Sequence, residues 1–156
     1  MSPEITSTKL YTLVIPHDGE RVLLGMKKRG FGAGKWNGFG GKVEPGEAIT
    51  DAALRELREE CGITASSVTF RGQHTFQFVG DPVALEVHVF ETRDWNGEPT
   101  ESDEMRPDWF AKKDIPFSSM WPDDVHWFPH FFAERQFVGK WVLDGETIVD
   151  QNLEVL

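Results

Sequence analysis

The sequence predicts an α+β domain in which a mixed or largely antiparallel sheet carries two helices. Three observations predict it. Runs rich in β-branched and aromatic residues recur at Lys9–Ile15, Arg21–Met26, Val68–Val79 and Val83–Thr92. Hairpin-type dipeptides stand at Asp18-Gly19, Asn96-Gly97 and Asp144-Gly145. These tight turns favour antiparallel neighbours over the long crossovers of a doubly wound parallel sheet. One stretch of good helix formers runs from Glu47 to Cys61, behind the breaker Pro45-Gly46 and ahead of Gly62, a natural residue to end a helix.

In chain order, Met1–Ser7 is polar and expected to be loose. Lys9–Ile15 and Arg21–Met26 form a strand pair across Asp18-Gly19. The segment Lys27–Lys42 follows, then the helix Glu47–Cys61. Val68–Val79 and Val83–Thr92 pair across Gly80-Asp81-Pro82. A second helix is expected from about Asp123 to about Gln136, although Pro129 suits a first turn better than an interior. Lys140–Leu143 and Glu146–Val149 flank the last turn. With 156 residues and no internal repeat, residues 1–156 read as one domain. A chain of this length buries enough surface to fold without staples.

Composition narrows the function classes. The single cysteine, Cys61, excludes an intrachain disulfide and fits a reducing compartment. No signal peptide and no long apolar run are legible, so cytoplasm is the expected location, with a nuclear or mitochondrial fraction left open. Net charge is −10, which argues against wholesale binding to a nucleic acid backbone. A small anionic substrate needs local positive charge or a metal. No exposed apolar seam is legible, so a monomer with no membrane partner is expected.

The helix at Glu47–Cys61 carries the chemistry. At 100° per residue, Glu56, Glu59 and Glu60 share an arc of about 100°. They lie in its C-terminal half, where the macrodipole disfavours anions by about 0.3–1 kcal/mol each. Like charges three and four apart add to that cost. Arg55 and Arg58 offset only part of it. A hard divalent cation offsets the rest, because Mg²⁺ takes oxygen ligands. A solvated acidic face is the ordinary alternative. Ahead of the helix, Lys27–Lys42 (KKRGFGAGKWNGFGGK) holds five basic residues, six glycines and no acid. Such a segment lets backbone N–H groups approach phosphate; its alternative is a basic surface loop.

The full pattern is more specific. Gly41, Glu47, Arg55, Glu56, Leu57, Glu59, Glu60, Gly62 and Ile63 occupy every fixed position of the Nudix hydrolase box, spread over 23 residues. The chain therefore resembles that family. The resemblance implies the Nudix fold, a mixed sheet sandwiched between helices (α/β/α), and Mg²⁺-dependent hydrolysis of a nucleoside diphosphate linked to another group, with Mn²⁺ able to substitute. It makes Glu56, Glu59, Glu60 and the Gly40 carbonyl metal ligands. Glu104, in Ser102-Asp103-Glu104-Met105, matches a further acidic ligand from a loop. Glu60, Glu59 or Glu104 could serve as the general base, or none is needed. Arg55 and Glu47 are expected to hold the helix carboxylates in place.

Outside the box, GMKKRGFGAGKWNGFGGKV, ESDEMRP and MWPDD followed by WFP are similar to the animal MutT-homologue class of the family. That class hydrolyses 8-oxo-dGTP and 2-hydroxy-adenine nucleoside triphosphates to monophosphate and pyrophosphate. The match implies a substrate site formed by Thr12, Lys27, Asn37, Phe39, Gly40, Gly41, Lys42, Trp121, Pro122, Asp123 and Asp124. Lys42 could face phosphate or solvent. Asn37 carries donor and acceptor, as reading a purine edge requires. Trp121 is the candidate stacking platform. Phe31, Phe76, Phe78, Leu85, Met105 and Trp127 are candidate pocket walls, although each side chain alone also suits a core.

Asp123 and Asp124 have two readings. An Asp ahead of a helix is a common N-cap. Two carboxyls in one apolar pocket cannot easily both ionise, so one pKa should rise and the protonated member donate to the base while the other accepts. His74, His88, His126 and His130 lack a metal-ligand spacing and read as structural or solvent-facing. Two competing functions remain: a Nudix hydrolase for methylated purine triphosphates such as O6-methyl-dGTP, a dinucleoside polyphosphate or ADP-ribose, and a non-catalytic nucleotide sensor. Sensors usually lose box glutamates, and none is missing here.

Overall fold

The computed structural model describes residues 4–156. Strand β1 spans Ser7–Pro16. Its alternation sends Val14 to one face and Ile15 to the other, and both are fully buried. Strand β2 (Arg21–Lys27) alternates likewise, with Leu23 on the Val14 side and Val22 and Leu24 on the Ile15 side. This pattern requires cover on both faces. Helix α1 (Ile49–Cys61) covers one, burying Ala53, Leu57 and Cys61 with Val14, Leu23, Phe39 and Phe90. Helix α2 (Asp124–Phe132) covers the other, burying Trp127, Phe128 and Phe131 with Ile15, Leu24, Phe137 and Trp141.

The remaining strands are β3 (Trp36–Asn37), β4 (Thr64–Ala65), β5 (Thr69–Phe78), β6 (Val83–Thr92), β7 (Trp95–Asn96), β8 (Met105–Ala111), β9 (Phe137–Asp144) and β10 (Thr147–Val155). The main sheet has the order β1-β6-β5-β9-β10. It is mixed: β1 with β6 and β5 with β9 are parallel, while β5 with β6 and β9 with β10 are antiparallel. A second sheet has the order β3-β2-β8, and β4 pairs with β7. The layered α/β/α arrangement agrees with the expected fold class.

Several local expectations need correction. Asp18-Gly19 turns the chain but closes no hairpin. β1 and β2 share one bridge, His17 with Val22, and then part into separate sheets. The Asp18 carboxylate instead takes the N–H groups of Glu20 and Arg21. Asn96-Gly97 closes none either, because Asn96 pairs with Thr64 of β4. The turns at Gly80–Pro82 and Asp144-Gly145 do join antiparallel neighbours.

Helix α1 starts at Ile49, two residues late, because the Glu47 carboxylate is engaged with the Glu44 N–H and with Arg55. Helix α2 ends at Phe132, short of Gln136. Glu134 has φ 58, outside helical space, and the chain then enters β9. Pro129 sits inside the helix, where its missing N–H costs a bond to the carbonyl of exposed Val125. Met1–Pro3 fall outside the described residues. Thr6 and Ser7, expected to be loose, donate their N–H groups to the Pro82 carbonyl.

Candidate active site

The segment before α1 is laid against β1. Val14 and Phe39 exchange backbone hydrogen bonds, and Thr12 N–H donates to the Gly41 carbonyl at 2.9 Å. The approach is too close for side chains. A Cβ at Gly40 would run into the Thr12 carbonyl, and one at Gly38 would sit 2.8 Å from the Val14 carbonyl oxygen. A Cβ at Gly41 would sit 2.7 Å from the Glu56 carboxyl. These glycines let the backbone pass between β1 and α1 and bring it against the helix carboxylates.

The three helix glutamates are not equivalent. Glu60 is buried, Glu56 half-buried and Glu59 exposed. Glu60 Oε1 accepts the Gly40 N–H at 2.9 Å. Burial, reinforced by the neighbouring Glu56 charge against that hydrogen bond, pushes Glu60 up to about 7. Burial also raises Glu56, against the pull of Arg55. Arg55 braces the group. Its guanidinium donates to both Glu47 oxygens at 2.7 and 2.9 Å, to Glu56 at 2.8 Å and to Glu59 at 3.2 Å. The paired guanidinium holds Glu47 down at about 2. Glu104 is engaged by Lys27 at 3.3 Å and Arg29 at 2.8 Å, which lowers it.

Among the described residues no three His, Cys, Asp or Glu side chains converge as a ready-made metal cage. The donors nonetheless suit a hard divalent cation. They are oxygens, and two of them, on Glu56 and Glu60, carry charge that burial disfavours and that a cation would relieve.

Beside Glu60 opens a cleft of about 280 Å³. Thr12, Lys27, Asn37, Gly40, Gly41, Trp121, Asp123 and Asp124 line it. All six expected wall residues, Phe31, Phe76, Phe78, Leu85, Met105 and Trp127, contribute to it. Three expected substrate residues do not. Phe39 is fully buried beneath α1, Lys42 points outward and is exposed, and Pro122 is half-buried outside the lining. Glu56, Glu59 and Glu104 also stand outside the lining.

Asp123 does not cap α2. Its carboxylate makes no cap bond and instead accepts the Trp127 Nε1–H at 2.8 Å. Burial raises both carboxyls. At Asp124 the adjacent Asp123 charge adds to burial. Asp123 Oδ1 and Asp124 Oδ2 have no partner among the described residues.

Phe31 stacks on Trp121 with centroids 5.1 Å apart and meets Phe78 edge-on at 5.8 Å. Lys35 lies over the Trp121 ring at 5.3 Å and pairs with Glu146 in the β9–β10 turn. Most of the basic segment is thus paired with acids: Lys27 and Arg29 with Glu104, Lys28 with Glu101, and Lys35 with Glu146.

A scan with family models matches residues 8–131 to the NUDIX domain. The chain belongs to the Nudix family. An oxidized purine nucleoside triphosphate hydrolase of Mus musculus is 49% identical over 150 residues, covering 96% of each chain. One of Danio rerio is 51% identical over 149 residues, covering 95% of this chain and 96% of its own. The crystal structure of the mutator MutT protein of Bacillus halodurans superposes with a TM-score of 0.84 at 26% identity, covering 94% of this chain and 97% of that one. As a Nudix hydrolase the chain is a pyrophosphohydrolase that uses a divalent metal and a small nucleotide substrate.

Inspection of the sequence missed part of this Nudix cleft. Tyr11, Leu13, Gly32, Lys35, Val87 and Leu143 also line it, and so does His74. The strand periodicity that places Phe76 and Phe78 on one face places His74 there too, and was the available signal. A buried cluster at the far end of β1 was missed as well: His17 and Arg71 both engage Glu91.

Proposed function

We propose that this Nudix hydrolase acts on oxidised purine nucleoside triphosphates, 8-oxo-dGTP and 2-hydroxy-dATP or 2-hydroxy-ATP, releasing the monophosphate and pyrophosphate and so clearing damaged nucleotides from the pool. The observation that carries the reading is the buried Asp123–Asp124 pair, which lines one aromatic cleft together with Asn37, Trp121 and Glu60. The names printed for the mouse and zebrafish relatives point the same way.

Roles divide along the cleft. Asp124 keeps a proton and donates to the base, and Asp123 accepts. Exchange of that proton lets one pocket take an oxidised guanine or an oxidised adenine. Asn37 reads a further edge, and Trp121 stacks on the ring. Lys27 and the glycine backbone receive the triphosphate, with Lys42 free to turn toward it. Glu56, Glu59 and Glu60, with the Gly40 carbonyl and Glu104, hold Mg²⁺, for which Mn²⁺ substitutes. When bound there, Mg²⁺ neutralises phosphate charge and activates water. Glu60, Glu59 or Glu104 takes the proton of the attacking water. Arg55 and Glu47 keep the carboxylates in register. The working unit is one chain of a single domain, without membrane or nucleic acid polymer as partner, and acts in the cytoplasm. No described helix is long and apolar enough to cross a membrane.

The deciding experiment incubates the protein with Mg²⁺ and a nucleotide panel and measures pyrophosphate and orthophosphate separately. Pyrophosphate from 8-oxo-dGTP far in excess of that from dGTP is the expected result. Preference for O6-methyl-dGTP, a dinucleoside polyphosphate or ADP-ribose would replace this substrate. Tight binding without turnover would point to a sensor.

A further inference from the structure

Residue 74 stands on β5 two positions before Phe76, so its side chain faces the cleft floor with Val87. It is 1% exposed and packs against the rings of Phe76, Trp127, Phe137 and Trp141. Its centroid lies 5.3 Å from Phe137 in a near-parallel stack and 4.9 Å from Trp127. Trp127 is the same side chain that donates to Asp123. One ring nitrogen is accounted for: Nδ1 accepts the Trp141 Nε1–H at 2.9 Å. That bond fixes the tautomer, because an accepting Nδ1 leaves the proton on Nε2. Burial pushes the imidazole down to about 3, so it stays neutral across the physiological range.

The other nitrogen is not accounted for. Nε2 is buried and has no hydrogen-bond partner among the described residues. A purely structural position at the bottom of an aromatic cluster would favour an apolar side chain, since an unpaired buried donor costs about 1–3 kcal/mol. The unpaired donor shares its cleft with two unpaired carboxyl oxygens, Asp123 Oδ1 and Asp124 Oδ2. All three atoms belong to residues that line the cleft, and such a cluster of unpaired polar atoms suits a recognition site better than a core.

The structure assigns to His74 a part in base recognition: its Nε2–H donates to an acceptor atom on the edge of the bound purine, through at most one bridging water. Asp123 and Asp124 exchange roles with their shared proton, whereas His74 offers a donor that never changes sign. Trp141 is the positioning residue that holds the ring in that tautomer. The inference rests on the oxidised-purine reading above, and the test separates the two.

The first measurement is ¹⁵N–¹H NMR of the imidazole in the full chain, with the signal assigned by its loss in His74→Asn. Saturation with 8-oxo-dGMP is expected to shift the Nε2 resonance, and saturation with pyrophosphate is not. The second is kinetic. His74→Asn keeps an acceptor for Trp141 and removes the Nε2 donor. It should raise KM for 8-oxo-dGTP by about 3- to 30-fold with kcat changed far less, the range expected for one lost hydrogen bond. His74→Gln restores a donor near the Nε2 position and should recover most of that loss. A merely structural histidine would lower Tm in both variants without splitting KM from kcat. An Nε2 resonance unmoved by 8-oxo-dGMP, or an unchanged KM in folded His74→Asn, overturns the inference even if the wild-type chain prefers 8-oxo-dGTP. If the wild-type chain shows no such preference, the substrate reading falls first and takes this inference with it.

Discussion

Gly40 donates its backbone N–H to Glu60 at 2.9 Å, across twenty residues of sequence, and in doing so ties the glycine segment to helix α1. The contact exists only because nothing but hydrogen occupies the space where a Gly40 Cβ would meet the Thr12 carbonyl. Backbone on backbone cannot give way as a flexible side chain would. Gly40→Ala is therefore expected to destabilise the protein by about 1–3 kcal/mol and to lower kcat. Thermal melting together with steady-state kinetics checks both.

Glu60 is an anion that burial and Glu56 disfavour. Glu60→Gln should melt at or above the wild-type temperature in the absence of divalent metal. It should then lose most of the Tm rise that Mg²⁺ gives the wild type. Combined with Glu59→Gln it should lower turnover by about 10²-fold or more. Intact turnover and an intact cation requirement in the double variant would remove the metal-site assignment.

Arg55 links four backbone or carboxylate partners, Glu47, Glu56, Glu59 and the Lys42 carbonyl. Lysine cannot reproduce that fork. Arg55→Lys should reduce kcat by about tenfold or more while leaving KM for the nucleotide near its wild-type value, since the brace orders carboxylates and not the base site. A selective KM effect would instead place Arg55 on the substrate.

The Asp124 carboxyl is raised by burial and by Asp123, which sets the sign of a pH effect. Below its unfolded value both states hold the proton and nothing is gained or lost. As pH rises past that value the unfolded chain releases the proton while the folded chain retains it. Stability then falls with pH up to the raised folded pKa. Asp124→Asn mimics the protonated form and should flatten that fall. Its Tm relative to wild type should therefore increase as pH rises above the ordinary carboxylate range, each kcal/mol being worth about 2–4 °C. Parallel Tm curves for the two proteins would show that the pair does not hold the proton.

Asp123, held by the Trp127 Nε1–H, is the accepting half of the proposed pair. Asp123→Asn removes the carboxylate to which the proton can move and should narrow substrate choice, with unequal losses of kcat/KM for 8-oxo-dGTP and 2-hydroxy-dATP. Equal losses, or none, would count against proton exchange as the source of breadth.

Sequence alone carried the strands and the acidic helix, written in local periodicity, and a motif whose family resemblance implied the layered fold and part of the cleft lining. Alternation along β1 and β2 predicts burial on two faces, and the Glu56, Glu59 and Glu60 spacing predicts one helical face. Tertiary structure decided what local pattern cannot encode. It sent β1 and β2 into different sheets despite a good turn at Asp18-Gly19, since strand partners are chosen by the layers they cover. It placed Phe39 wholly in the core, turned Asp123 from a cap into a partner of Trp127, and buried Glu60 while leaving Glu59 in water. It also brought His74 and Trp141, 67 positions apart, into one hydrogen bond beneath the cleft. Burial is a property of the assembled layers, and with it comes the dielectric that separates one carboxylate from the next.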